Sequence, residues 1–340
     1  MSSKNNLQVG IIGAGRIGRL HAEHLAFRIK NAVPIAIADI FLSAAEETAV
    51  QCQIPEATQD YRSVLDNPAI DAVLICTSTD THAQLIKESA AAGKHIFCEK
   101  PIALEIGCIQ SALTAVEKAG VKLQVGFNRR FDVNFSKIKQ TILEGKIGDP
   151  HLLKITSRDP EPPPLEYLRV SGGIFLDMTI HDFDMARFLM DSEVTEVFAA
   201  GSVLIDSRFH EADDIDTAVV TLKFENGAMG VIDNSRKAVY GYDQRVEVFG
   251  SKGAVYVRNN SPDSHVLMLA ESVESAKPLY FFLERYEQSF VAELQAFVEA
   301  CLKDKATPVS GLDGLMPVKI GLAAKKSLQE NRPTKLTEIA

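Results

Sequence analysis

The apolar run 9–12 passes straight into Gly13-Ala14-Gly15-Arg16-Ile17-Gly18, and a helical stretch follows. Three glycines at this spacing, between a strand and a helix, meet three separate steric demands. Gly13 permits a tight turn, Gly15 lets the main chain approach a pyrophosphate, and Gly18 lets the helix lie close to the strand. The helix start then offers unpaired N–H groups and a positive dipole end to phosphates. The next apolar run ends at Asp39, 21 residues beyond Gly18, where a carboxylate accepts hydrogen bonds from a ribose diol. The same carboxylate repels a ribose phosphate, and Ile40 and Phe41 bring no cation to receive one, so NAD is expected in preference to NADP. Taken alone, Asp39 is also an ordinary strand-end turn residue.

Apolar runs at 7–12, 32–38, 72–76, 95–98 and 123–127 alternate with helical stretches at 16–30, 44–51, 81–92 and 105–119. Strands apolar on both faces, separated by amphipathic helices, predict a parallel sheet covered on both sides. The expectation is an α/β chain whose residues 1–126 form a Rossmann dinucleotide-binding domain. Beyond Gly126 the alternation stops. A helix over 133–143 and a strand over 151–158 lead into the proline-rich 159–164, which cannot enter a helix or a central strand. A helix over 174–190 precedes strand-like runs at 194–205, 216–224, 228–235, 244–249 and 254–258, with turn sequences at 225–227 and 250–253. Helices near 286–303 and 315–329 close the chain. Residues 127–340 are therefore expected to form an α+β domain with a mostly antiparallel sheet and helices on one face, and 340 residues suit two such domains.

A net charge of -9 gives no footprint for a polyanion, so nucleic acid is not expected as a partner. No run approaches a membrane span and no leader is visible, so a cytoplasmic protein is expected. The five cysteines, Cys52, Cys76, Cys98, Cys108 and Cys301, form no CxxC pair and suit a reducing compartment.

Two further loops fall on the carboxyl edge of the predicted parallel sheet, where ligands of such sheets bind. The first, Thr77-Ser78-Thr79-Asp80-Thr81-His82, opens a helix, so helix capping and cofactor contact are both open to it. The second, Glu99-Lys100-Pro101, directs Lys100 toward the nicotinamide end, although a lysine at a strand end is ordinarily a solvated charge. In the second domain, Asp177, His181 and Asp184 stand at i, i+4 and i+7 of the predicted helix and would share one face. A neutral imidazole accepts a proton from an alcohol near neutral pH, and a carboxylate one turn away orients the ring. A surface Asp–His pair that merely stabilises a helix is the alternative. No second histidine or cysteine stands at ligand spacing, so no metal is expected.

GIIGAGRIG, CEKP, GFNRRFD and SGGIFLDMTIHDFDMARFL together resemble the Gfo/Idh/MocA oxidoreductases, and the resemblance extends from about Val9 to Lys335. SRDPEPPPLEYLRVSGG and YGYDQRVEVFGSKG are similar to its inositol-oxidising branch. The resemblance implies a Rossmann domain, a second domain with a large open sheet, and a homotetramer assembled through those sheets. It implies Lys100, Asp177 and His181 as the catalytic set, with His181 as acid/base, Asp177 as its partner and Lys100 on the reacting hydroxyl. The cofactor-contacting residues expected are Gly13, Gly15, Arg16, Ile17, Asp39, Thr77, Ser78, Thr79, His82, Glu99 and Lys100. Around the substrate, Asn128, Arg130, Asp159, Asp177, His181, Asp184 and Tyr240 are expected. The implied reaction is NAD-dependent oxidation of one secondary hydroxyl of a cyclic polyol, myo-inositol first, with scyllo-inositol, an aldose or a sugar acid as alternatives. An NAD(H)-sensing regulator without turnover is a rival of another class, against which the intact Lys100, Asp177 and His181 set speaks.

Overall fold

Leu7–Ile12 (β1), buried at nearly every position, forms the middle of a six-stranded sheet. Ala32–Ala38 (β2), Glu56–Thr58 (β3), Ala72–Ile75 (β4), His95–Cys98 (β5) and Leu123–Val125 (β6) complete it in the order β3-β2-β1-β4-β5-β6. All its pairs are parallel. The connecting helices are Arg16–Phe27 (α1), Leu42–Cys52 (α2), Tyr61–Asp66 (α3), Thr79–Ala91 (α4) and Ile106–Ala119 (α5). The strand order reverses between β1 and β4, which opens a crevice at the carboxyl ends of the strands. The segments after β1, β2, β4 and β5 all reach that edge, as expected from the sequence.

After Val133–Leu143 (α6), a seven-stranded sheet is built from Pro150–Arg158 (β7), Val194–Ser202 (β8), Thr217–Phe224 (β9), Met229–Ser235 (β10), Asp243–Gly250 (β11) and Gly253–Val257 (β12), with a short closing strand. Only β7 and β10 pair in parallel. The mostly antiparallel sheet expected from the turn sequences is present. Its strands alternate buried and exposed residues, so one face carries the packing and the other is open. Short helices Leu165–Leu168 (α7) and Ile174–Asp177 (α8), then Ile180–Met190 (α9) and Arg208–Glu211 (α10), occupy the connections, and Val266–Met268 (β13) pairs with Val273–Ser275 (β14) in a small hairpin. Phe282–Leu302 (α11) and Gly311–Glu330 (α12) follow, and Thr334–Lys335 (β15) adds to the β8 edge.

The computed structural model describes residues 5–340. It corrects two expectations. The chain divides into one unit running through Asn128 and including Gln288–Val318, and a second of Arg129–Glu287 with Lys319–Ala340. Residues 288–318 were expected in the second domain, but they belong to the first. Leu294, Phe297 and Val298 of α11 are buried in one core with Val9, Leu74 and Phe97, and such apolar matching leaves no local signal in sequence.

The helix expected over 174–190 is also interrupted, after Asp177. The Thr179 N–H reaches back five residues to the Ile174 carbonyl (2.9 Å), whereas the His181 N–H reaches back only three, to Met178 (3.3 Å). The Thr179 hydroxyl sits in the gap, 3.2 Å from the Ile174 carbonyl, and gives its single proton mainly to Asn234 Oδ1 at 2.7 Å. A side-chain hydroxyl competing for the backbone ladder is a recognised cause of such a kink.

Candidate active site

The turn after β1 has the form a pyrophosphate needs. A Cβ on Gly13, whose φ is +104°, would stand 2.6 Å from the Cys76 carbonyl oxygen, and one on Gly18 would stand 1.9 Å from the Gly13 carbonyl oxygen. Neither position tolerates a side chain. A Cβ on Gly15 would meet nothing within 4 Å, so the main chain there is open to a ligand. Gly15 is the N-cap of α1 and no acidic residue occupies the first turn, which leaves the helix dipole uncompensated for an anion. Arg16 is exposed and Ile17 half-buried at the same helix start. Asp39 follows β2 with one oxygen accepting from the Ala14 N–H (2.7 Å) and the other from the Phe41 N–H (2.8 Å). Its carboxylate is thus locked to the glycine turn while remaining partly accessible, so holding the turn does not bar it from a ribose. These residues fit a dinucleotide.

The loop after β4 divides its tasks. Ser78 is the N-cap of α4 but makes no side-chain cap bond and is exposed, whereas Thr77 is tied to Thr81 through their hydroxyls at 2.6 Å. Thr79 is half-buried in the first turn. His82, expected at the cofactor, instead lies inside the unit at 1% exposure. One ring nitrogen faces the Pro101 carbonyl (2.8 Å) and the other the Thr77 carbonyl (3.1 Å), so the buried imidazole sits between the two loops and, when neutral, donates to one of them. Burial holds its pKa below the usual value against the pull of both carbonyls. Glu99 and Lys100 stand at the carboxyl end of β5, and Lys100 is half-buried ahead of a cis bond to Pro101. Glu99 accepts a hydrogen bond from His21 Nε2 at 2.7 Å.

In the second unit, the kink after α8 separates Asp177 from His181. Asp177 Oδ1 accepts from the Tyr167 hydroxyl at 2.8 Å and Oδ2 from Arg236 at 2.9 Å. The other arm of Arg236 donates to Asp159 at 3.2 Å, and Arg236 is only 3% exposed. One guanidinium therefore fixes both carboxylates. Burial pushes Asp159 up, opposed by Arg236 and reinforced by the Asp177 charge. His181 lies half-buried in the first turn of α9. Beneath it, Thr179, Asn234, Asp182 and Arg129 form a buried chain in which Arg129 meets Asp182 at 2.6 Å and Asn234 donates to Asp182 at 2.9 Å. Tyr167, Arg236, Asn234 and Arg129 were not singled out as site residues in the sequence; Arg129 and Tyr167 lie inside the motifs GFNRRFD and SRDPEPPPLEYLRVSGG, whereas Arg236 and Asn234 lie in none.

Three expected substrate residues, Arg130, Asp184 and Tyr240, have ion-pair or hydrogen-bond partners within the second unit, and a fourth, Asn128, is buried. Asp184 is fully buried and takes Arg130 in a bidentate pair, with contacts at 2.6 and 2.9 Å. The Tyr240 hydroxyl donates to Asp243 at 2.6 Å and accepts from Arg158 at 3.1 Å. Asn128, at the end of the first unit, is 4% exposed.

A glycine turn fit for a pyrophosphate in the first unit and a half-buried histidine with two arginine-clamped carboxylates in the second are the separate features of a dinucleotide-dependent oxidoreductase. Residues 7–127 match an oxidoreductase family described as an NAD-binding Rossmann fold, and residues 135–256 match the GFO/IDH/MocA C-terminal domain. The chain belongs to the Gfo/Idh/MocA family of oxidoreductases. It is 55% identical over 327 residues to the uncharacterized oxidoreductase YrbE of Bacillus subtilis, covering 96% of each chain. It is 51% identical over 333 residues to the myo-inositol 2-dehydrogenase of Thermotoga maritima, covering 98% of this chain and 99% of that one. Among solved structures, scyllo-inositol dehydrogenase from Lactobacillus casei with bound NAD(H) and scyllo-inositol superposes with a TM-score of 0.91 at 30% identity, covering 98% and 99% of the two chains.

Proposed function

We propose that this protein oxidises one secondary hydroxyl of myo-inositol to the 2-keto product, using NAD. The observation that carries this reading is the near full-length similarity to a myo-inositol 2-dehydrogenase at 51% identity, joined to an intact Lys100, Asp177 and His181 set. NAD, when bound, accepts the hydride. The chain does the rest. The glycine turn and Asp39 hold the dinucleotide, and Thr77, Ser78 and Thr79 contact it along the β4 edge. His181 takes the hydroxyl proton, Asp177 orients the imidazole, and Lys100 positions the reacting hydroxyl. Asp159, held by Arg236, accepts hydrogen bonds from ring hydroxyls. A polyhydroxylated ring that lacks one such bond leaves a buried polar group unpaired, which is how isomers are told apart.

Initial rates with NAD and NADP over a panel of inositol isomers and monosaccharides test the assignment. Preference for myo-inositol with NAD supports it; preference for scyllo-inositol selects the activity named for the Lactobacillus casei relative. NADH binding without turnover of any polyol selects a sensor.

The open face of the seven-stranded sheet exposes Leu152, Val219, Met229, Phe249 and Tyr256. An apolar face of this kind suits a second copy of the chain, and we assign it to a homotetramer. Light scattering on the purified protein checks the mass. No helix among the described residues is long and apolar enough to cross a membrane, and the cytoplasm is the compartment where NAD and the reduced thiols of this chain belong.

A further inference from the structure

Glu293 projects from the part of α11 that belongs to the first unit. It is 0% exposed, and neither carboxylate oxygen has a hydrogen-bond partner among the described residues. An ionised carboxylate in such a place is strongly disfavoured, whereas a neutral acid is tolerated. Two other polar side chains share the space. One atom each from His21, Glu99 and Glu293 lies within 4.8 Å of the other two. His21 Nε2 already bonds Glu99 at 2.7 Å, and its ring is held edge-on by Phe97 and Phe290 at centroid distances of 5.3 and 5.8 Å.

The surroundings are shaped for this cluster. A Cβ on residue 126 would come within 3.1 Å of the Glu99 carboxyl, so Gly126 leaves it room. Gln124 Nε2 donates to the Glu293 backbone carbonyl at 2.8 Å, which fixes α11 against β6. Burial pushes Glu293 well above the ordinary carboxylate range, and the Glu99 charge adds to the rise. Also facing Glu99 are the thiols of Cys98 on β5 and Cys76 after β4, both pushed up by burial, and His82 on α4, whose pKa burial lowers.

We propose that Glu293 is a positioning residue that keeps its proton and stands as a neutral acid beside Glu99, so that the His21 bond and an uncharged neighbour together keep the Glu99 carboxylate and the turn that carries Lys100 in place. Two carboxyl groups forced into one buried site share a single proton for the same reason that like charges cannot both ionise there. The link to catalysis rests on the reading of Lys100 given above; the proton on Glu293 does not. A divalent cation held by the same three groups is the competing account, and it would have to replace the 2.7 Å His21–Glu99 bond.

The test compares the full-length protein with Glu293→Gln and Glu293→Ala. Infrared spectra at neutral pH are expected to show a carboxylic-acid C=O stretch in the parent that is missing in Glu293→Gln. A group whose folded pKa is raised contributes stability that is complete below its unfolded pKa and is lost as pH rises through the folded value. The parent should therefore lose stability with rising pH more steeply than Glu293→Gln. In kinetics, Glu293→Ala should lower kcat about 10- to 100-fold through misplacement of Lys100, with the KM for NAD little changed, and the amide should recover most of that loss. Absence of the acid band, identical pH slopes, equal kcat for the two variants, or one equivalent of zinc or manganese in metal analysis of the parent each overturns the proposal. If Glu293→Ala fails to fold, the spectrum and pH slope of Glu293→Gln decide. If the parent turns over no polyol, these same two readouts still decide on Glu293, while the dehydrogenase reading falls separately.

Discussion

Arg236 shows what a single side chain does in the second unit: it emerges just past β10, is almost wholly buried, and divides its two terminal nitrogens between Asp159 and Asp177. With Asp177 held on one side by Arg236 and on the other by Tyr167, the carboxylate has little freedom left, as the role proposed for it requires. Replacing His181 by Ala is expected to lower kcat about 10²- to 10⁴-fold, with NADH affinity by fluorescence titration nearly unchanged. Ordinary turnover in that variant would remove the imidazole from the proton transfer. Asp39 needs two substitutions because it does two things. Asp39→Ala should raise the KM for NAD about 10- to 100-fold and narrow the preference over NADP. Asp39→Asn keeps an acceptor for the Ala14 N–H, so it separates the loss of charge from the loss of the turn. An unchanged NAD to NADP ratio in both would show that the residue serves the turn alone.

The elements differ in how openly they announce themselves. β1, the glycine turn and α1 are legible because each depends on neighbours a few residues away: an apolar run, three glycines and a helix start. The parallel sheet and the turns of the antiparallel sheet are legible for the same reason. The stretch 174–190 misleads, because apolar periodicity records which side is buried and carries no trace of a hydroxyl from Thr179 reaching Asn234, 55 residues away. Nor does periodicity record the pairing of Asp184 with Arg130, 54 residues away. His82 misleads in the same way: a polar residue in a ligand-edge loop reads as a contact until the Pro101 carbonyl is placed beside it. Thr179→Val removes the donor and leaves the Asn234 carbonyl unpaired in the core. It should cost about 1–3 kcal/mol in chemical denaturation and reduce kcat, since His181 begins the following turn. Parent-like stability would show that the kink forms without the hydroxyl.

At the scale of the whole molecule, the chain leaves its first unit at Asn128 and re-enters it at Gln288. The returning stretch brings Phe297, which is fully buried and meets Phe97 edge-on at 5.8 Å, and Val309, whose carbonyl accepts from the Val125 N–H. A polypeptide ending at residue 128 would lack these and expose the apolar surface they cover. Such a fragment should be insoluble or molten, whereas residues 1–128 joined by a short linker to 288–318 should fold and bind NADH; circular dichroism and cofactor fluorescence distinguish the two. This threading also governs how new specificities can be installed. Because the second unit's larger segment is an insertion flanked by both halves of its neighbour, recombination that trades one polyol pocket for another has to cut twice and keep both splice points in frame. A single crossover inside that insertion hands the first unit a foreign core helix along with the foreign pocket.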